Sequence, residues 1–133
     1  MKQAFQKIVV GLLLPIHLLL SMDYFVTDRL EMNASMHLLA PGDTMTMSSG
    51  IWRDQALSFS GNGTESAPIL LRAETRGEVI ISGVNSRLDL DGSYLVVDGL
   101  YFLGGYQTYE DNHLINTSTG SHHCRFTNIA VVD

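Results

Sequence analysis

The sequence predicts an all-β body preceded by a short helix, and the residues favour a coil of stacked parallel strands, a β-helix. Short β-rich runs separated by glycine or asparagine turns fill the chain from residue 43 onward. Two stretches, residues 95–102 and 125–131, share one plan: a β run, an Asp or Asn, and a second β run. A helical pattern at residues 28–39 comes before them.

Length and composition indicate one ordinary globular domain. The 133 residues are 45% hydrophobic and 17% charged, which is enough to fold by burial of a modest core. The single cysteine, Cys124, cannot form an internal disulfide, and a buried free thiol is expected. His122 and His123 stand too close to it in sequence for a usual tetrahedral metal site.

The first 22 residues have the features of an export signal. Lys2 and Lys7 precede an apolar run at residues 8–20, which is too short for a stable membrane span. Removing residues 1–22 leaves six arginines against 14 acidic residues, a net charge of −8. Because nucleic acids and anionic membranes bind clustered basic residues, this charge argues against both as partners. A secreted or periplasmic location is expected.

Residues 23–40 are expected to form a capping region that covers the first coil of the β body. Asp28 can cap the helix, and Glu31 three residues later completes a capping box. Three apolar residues are predicted to share the buried face of this helix: Leu30, Ala34 and Leu38.

Eight β runs are predicted at residues 44–47, 56–59, 69–73, 79–81, 87–90, 95–97, 100–103 and 125–132. Asp98 and Asn128, 30 residues apart, are predicted to occupy the same corner of successive coils, with an inserted loop at residues 106–112. On the residues alone a β-sandwich or a barrel stays open, because both are built from short regular strands.

Three histidines are candidate substrate contacts: His113, His122 and His123. A histidine can contact a sugar or its carboxylate, and these three flank a Ser/Thr-rich stretch, although solvated turns would also explain them. Asp89, Asp91 and Asp98 could attract calcium, but Asp-Gly turns account for them. No catalytic or metal-binding residue is assigned in the chain.

Six motifs follow one another in an order that resembles polysaccharide lyase family 6, which contains alginate lyases and chondroitinase B. They are PGDT (41–44), GIWRDQ (50–55), GNGT (61–64), PILLRAET (68–75), GSYLVVDGLYF (92–102) and CRFTN (124–128). The resemblance covers residues 41–133, and alginate lyases are the nearer subgroup. It implies that these residues form the N-terminal rungs of a right-handed parallel β-helix.

The resemblance also implies an activity, the cleavage of uronate-containing polysaccharides by β-elimination. In that family a Lys and an Arg act as base and acid, and Ca²⁺ held by acidic side chains often neutralises the uronate carboxylate. These family residues lie further along than this sequence extends, and no lysine follows Lys7. We therefore expect an inactive N-terminal portion of an alginate lyase, truncated at its C-terminus, with no cofactor of its own.

The alternative function is a non-catalytic β-helix module that binds a polysaccharide or another partner. For the full-length protein, the expected partner is alginate, an anionic polysaccharide substrate. The last predicted run, residues 125–132, would leave backbone groups unpaired along one edge. Because such edges recruit other strands, self-association through this coil is expected.

Overall fold

A computed structural model of the chain describes residues 20–104 and 113–132. The export signal predicted at residues 1–22 lies outside them except for its last three residues, and the loop predicted at residues 106–112 lies outside them entirely. Both stay predictions.

The described residues form one helix and twelve strands. In chain order these are β1 (Asp23–Val26), α1 (Arg29–Met36), β2 (Thr44–Met47), β3 (Gly50–Arg53), β4 (Ala56–Asn62), β5 (Ile69–Ala73), β6 (Val79–Ser82), β7 (Arg87–Ser93), β8 (Leu95–Asp98), β9 (Leu100–Leu103), β10 (Ile115–Thr117), β11 (Arg125–Thr127) and β12 (Ala130–Val132).

The strands make three parallel sheets. Sheet A has the order β1-β2-β5-β8-β11, sheet B has β12-β9-β6-β3, and sheet C has β10-β7-β4. The chain passes from sheet A to B to C and returns to A, so each circuit is one coil of a solenoid with about three turns. Every strand pair in the described part of the chain is parallel, which confirms the β-helix and excludes the sandwich.

Alternate side chains of each strand point into the solenoid and stack on equivalent residues of the next coil. In sheet B, Trp52, Ile81 and Phe102 form one such buried column. In sheet C, Phe59 stacks on Leu90 in the same way. A shift of one residue in any strand would turn these apolar groups to solvent, so the columns fix the register of the coils.

The helix is shorter than predicted and buries a different face. The Asp28 cap is confirmed, because its carboxylate accepts from the Glu31 amide at 2.8 Å. The predicted face is wrong: Leu30 and Leu38 are 72% and 51% exposed, whereas Met32 is fully buried. Eight residues give the helix about two turns, so only Met32 is fully buried, while Met36 one turn later is partly buried against the core. Within the described ranges no helix is long and apolar enough to cross a membrane.

Three strands were not predicted: β1, β3 and β10. β1 precedes the helix and pairs with β2, so sheet A extends into the predicted capping region. β3 contains a glycine and buries only Trp52, and β10 has three residues. Each is too short or too exposed for alternation of side chains to reveal it.

The predicted equivalence of Asp98 and Asn128 is wrong by one residue. The register pairs Thr127 with Asp98, which places Asn128 opposite Gly99. Asn128 and Gly99 are the corner residues between sheets A and B, with left-handed φ angles of 51° and 82°. Glycine adopts this conformation without steric cost and asparagine tolerates it, so the corner falls after Asp98.

Candidate functional site

The candidate site begins at the corner where sheet C passes into sheet A. Ser93, the last residue of β7, pairs with His122 of the next coil in a parallel bridge. The Tyr94 amide donates to the His122 carbonyl at 3.2 Å, so Tyr94 and His123 follow as equivalent corner residues. Both have left-handed backbone angles, with φ of 51° and 56°.

The side chains at this corner form a compact group of rings. The Tyr94 and His123 rings stack with centroids 4.5 Å apart and 8° between their planes. The His122 ring stands edge-on to both, at 85° and 84°. The Nδ1 atoms of His122 and His123 are 2.7 Å apart, so one donates a hydrogen bond and the other accepts it. We call Tyr94, His122 and His123 the aromatic corner.

The structure brings together two of the three predicted histidines. His122 and His123 are in contact and both are exposed to solvent. His113 is also exposed but lies ahead of β10, on the sheet C side of the same coil. Among residues 20–104 and 113–132, no hydrogen bond or ring contact joins it to the aromatic corner. The role of the three histidines as substrate contacts stays a prediction.

Tyr94 belongs to the site and was missed in the sequence. The sequence contains the spacing that would identify it. Gly99 and Asn128 are equivalent corner residues 29 residues apart, and Tyr94 and His123 are separated by the same number of residues. The offset could be read only after the strand register was known. Without the register, Tyr94 is one aromatic residue between two β runs.

A cleft of about 630 Å³ lies between α1 and sheet C. Met32 is buried in the core, and Met36 Sδ accepts a hydrogen bond from the Ser60 amide at 3.1 Å, which holds the helix against β4. The cleft is lined by Asn33, Met36, His37 and Leu39 on the helix side and by Ser60, Gly61, Asn62, Asp91 and Gly92 on the strand side.

Hydrogen bonds connect the cleft to the aromatic corner. Ser93 Oγ donates to Asn62 Oδ1 at 3.1 Å, which links the first two coils at the cleft wall. The Gly92 carbonyl accepts from the His122 amide at 3.1 Å, and the Gly92 amide donates to Ser121 Oγ at 3.1 Å. The two features are therefore neighbours along one edge of the solenoid.

A second polar cluster lies at the corner between sheets A and B. Asp98 accepts hydrogen bonds from Asn128 Nδ2 and, at 2.8 Å, from Thr127 Oγ1 through its Oδ1, and from Arg76 Nε through its Oδ2 at 3.0 Å. Burial raises the pKa of Asp98, but these hydrogen bonds and the Arg76 charge outweigh it, so the pKa lies below its usual value. Asp98 is therefore a structural carboxylate that ties three coils together.

Arginine side chains pair with several of the described acidic residues. Arginine pairs with three of them: Arg72 with Asp23 at 3.0 Å, Arg76 with Asp98 at 3.0 Å, and Arg87 with Asp89 at 2.8 Å. In the part of the chain that the structure describes, no three His, Cys, Asp or Glu side chains are placed to hold a metal ion. Calcium therefore does not fit these residues, and we assign no chemical step to it here.

Cys124 is a free thiol, as predicted, but it is half-buried. Its sulfur lies 3.7 Å from the His122 carbonyl oxygen and 3.9 Å from that of Gly92. Cys124 directly precedes β11, which belongs to the last described coil and pairs with β8.

Comparisons with known proteins agree with this architecture. The profile of the chondroitinase B family matches residues 26–133. No curated protein matches the chain in sequence.

Solved structures that resemble the chain include polysaccharide lyases. The PL6 family alginate lyase AlyGC is 32% identical with a TM-score of 0.73, over 80% of this chain and 15% of that one. The PL6 family lyase Pedsa3628 from Pseudopedobacter saltans is 32% identical with a TM-score of 0.71, over 80% of this chain and 24% of that one. A mannuronic acid specific family 6 lyase from human gut microbiota is 27% identical with a TM-score of 0.66, over 83% of this chain and 26% of that one.

The chain spans 15–26% of the length of these solved lyases. The family profile nevertheless matches most of the chain, from residue 26 to residue 133, and the described residues in that range form the parallel coils. The chain therefore belongs to polysaccharide lyase family 6, the chondroitinase B family.

Proposed function

We propose that the chain is the N-terminal portion of a lyase that cleaves alginate by β-elimination, and that these residues bind the polysaccharide without cleaving it. The observation that carries the proposal is the family match over residues 26–133, together with solved alginate lyases of which the chain spans a small part. In that arrangement the catalytic residues lie in other coils of the full-length protein.

The chemistry of elimination supports a binding role for these residues. The C5 proton of a uronate is weakly acidic, so its carboxylate must be neutralised, a base must remove the proton, and an acid must protonate the leaving oxygen. No lysine follows Lys7, so the family's lysine base is missing. Asp23, Asp89 and Asp98 are already paired with arginines.

In this proposal the aromatic corner and His113 contact the polysaccharide. A protonated imidazole can pair with a uronate carboxylate, and the rings can pack against the C–H face of a sugar. His122 and His123 are exposed and held in fixed positions by their hydrogen bond and by Tyr94. His113 is accessible but has no such support among the described residues.

Two measurements on the purified chain test the proposal. Electrophoresis through gels containing alginate should retard it more than gels containing dextran, and His122→Ala with His123→Ala should reduce the retardation. Incubation with alginate or dermatan sulfate should give no rise in the ultraviolet absorbance of the unsaturated product. Equal mobility in the two gels would contradict binding, and a reproducible rise in absorbance would contradict inactivity.

A non-catalytic module is the second candidate, and the lack of a lysine after Lys7 favours it. Genomic DNA downstream of the codon for Asp133 separates the two candidates. Further coils that contain the family's Lys and Arg would establish the lyase. A stop codon with no continuation in any reading frame would count against the lyase, and the module would then be tested by the retardation in alginate gels.

We also propose that a bacterium exports the protein to its periplasm or to the outside. Lys2 and Lys7 followed by the apolar run at residues 8–20 support this location. N-terminal sequencing of the exported protein should give a new terminus near residue 23. A cytoplasmic protein that keeps Met1 would contradict the proposal.

A further inference from the structure

The cleft between α1 and sheet C has a rigid floor of backbone. A Cβ atom on Gly92 would overlap the carbonyl oxygen of Gly61, so the two coils are in direct backbone contact there. The opposite wall is fixed, because Met32 anchors the helix in the core and Met36 accepts the Ser60 amide. The cleft is therefore part of the fold and needs no rearrangement to admit a ligand.

Several polar groups in the cleft have no partner among the described residues. Asn62 Oδ1 accepts from Ser93, and no described residue accepts a hydrogen bond from the Asn62 NH₂ group. The side chains of Asn33, His37 and Asp91 have no hydrogen bond or ion pair with the described residues. The cleft thus combines amide donors, a carboxylate acceptor and an imidazole within one concave surface.

The cleft also has an apolar part, and its volume is that of a small-molecule site. Met36 and Leu39, both partly buried, supply the apolar surface. The volume of about 630 Å³ lies in the range of ligand pockets, about 300–1,000 Å³. A hydroxyl-rich ring with an apolar C–H face matches this combination, because its hydroxyls both donate and accept.

We propose that this cleft binds one sugar unit of the polysaccharide through its hydroxyl groups, next to the aromatic corner. The inference rests on the proposed function and deepens it, because it adds a sugar site to the histidine contacts. The Asp91 carboxylate repels a uronate carboxylate, so the sugar turns its hydroxyl edge toward Asp91 and its own carboxylate away. Asn62 and Asn33 donate to the same sugar unit.

A blocked cleft is the first test. Asn33→Trp places an indole in the cleft from an exposed helix position, and Ala34→Trp adds the same indole at an exposed neighbour that does not line the cleft. Titration of the full chain with mannuronate and guluronate tetrasaccharides, followed by calorimetry, should show affinity about tenfold lower for Asn33→Trp and unchanged for Ala34→Trp. Thermal unfolding checks that both variants are folded.

The Asp91→Asn variant tests the orientation of the sugar and keeps the proposal falsifiable if the tryptophan disturbs the helix. Loss of charge-assisted hydrogen bonds to hydroxyls should weaken binding by about fivefold or more. Tighter binding by Asp91→Asn would mean that a uronate carboxylate faces Asp91, which overturns the inference.

The outcomes distinguish the inference from the proposed function. Tetrasaccharide binding that is unchanged by Asn33→Trp overturns the cleft site and leaves the proposed function intact. Wild-type chain that binds neither tetrasaccharide overturns both. Binding that is lost in Asn33→Trp and Asp91→Asn but kept in Ala34→Trp supports the cleft as a sugar site.

Discussion

Replacing Asp98 with asparagine measures how much the corner between sheets A and B contributes to stability. The Asp98 side chain is 14% exposed and accepts hydrogen bonds from Asn128, Thr127 and Arg76. In asparagine an NH₂ group replaces one of the two carboxylate oxygens. This NH₂ group faces either Arg76 or the pair Asn128 and Thr127, all of which are donors. At least one donor therefore loses its acceptor.

The expected loss follows from the strength of these bonds. A hydrogen bond to a charged group contributes about 1.5–3 kcal/mol, whereas an exposed ion pair contributes about 0–1 kcal/mol. The Arg76 side chain is 69% exposed, so its bond to Asp98 belongs to the weaker class. We expect Asp98→Asn to lower the free energy of unfolding by about 2 kcal/mol at pH 7.

The same residue predicts a pH dependence with a definite sign. The pKa of Asp98 is lowered in the folded state: burial raises it, but hydrogen bonds from Asn128, Thr127 and Arg76 and the Arg76 charge outweigh that effect. Its contribution is therefore complete above the ordinary Asp pKa of about 4 and is lost as the pH falls through the lower folded-state value. Wild type should lose more stability than Asp98→Asn as the medium is acidified below about pH 4.

Urea unfolding followed by the fluorescence of Trp52, which is 3% exposed, measures both effects. Asp91→Asn is the matched control, because the Asp91 residue is exposed and no hydrogen bond or ion pair joins its carboxylate to the described residues. It should change stability by less than about 0.5 kcal/mol. Equal stability of the two variants at pH 7 would refute the reasoning about the corner.

Two further predictions concern packing between coils. Gly92→Ala should lower the free energy of unfolding by more than about 3 kcal/mol or prevent folding, because its Cβ overlaps Gly61, whereas Gly120→Ala should cost about 1 kcal/mol from its φ of 90° alone. Urea unfolding compares them, and similar losses would show that the overlap relaxes. A polypeptide ending at Asp133 should self-associate through its last coil, where Val131 is 62% exposed, and Val131→Lys should favour the monomer. Size-exclusion chromatography with light scattering is the measurement, and a sharp wild-type monomer peak would contradict it.

The coil architecture could be predicted because its cause is local. The runs at residues 44–47, 69–73 and 100–103 coincide with β2, β5 and β9, and each buries alternate apolar side chains. The capping helix began at the predicted place for the same reason, since Asp28 and Glu31 act within one turn. The buried face of the helix depends on the coil against which it packs, and the spacing of apolar residues in the sequence predicted the wrong face.

Register between coils could not be predicted, because the coils differ in length. Six residues, 63–68, connect β4 to β5, whereas Tyr94 alone connects β7 to β8. No constant spacing therefore relates equivalent residues, and the alignment of Asp98 with Asn128 was wrong by one. The cleft was hidden for a related reason, since Met36 and Ser60 meet only through folding.

The backbone at the corners supports the proposal that the aromatic corner, and not another polar turn, contacts the polysaccharide. Left-handed residues follow one another in neighbouring coils: Asp54 with Gly83, Gly99 with Asn128, and Tyr94 with His123. Glycine, asparagine and aspartate suit that conformation, whereas a bulky residue there bears a penalty of about 1–2 kcal/mol. Tyr94 is thus held against its backbone preference, and its ring stacks on His123 while the imidazole bonds His122. Strain of this kind persists where the surrounding structure holds a residue in place, and it supports the proposal that the aromatic corner contacts the polysaccharide.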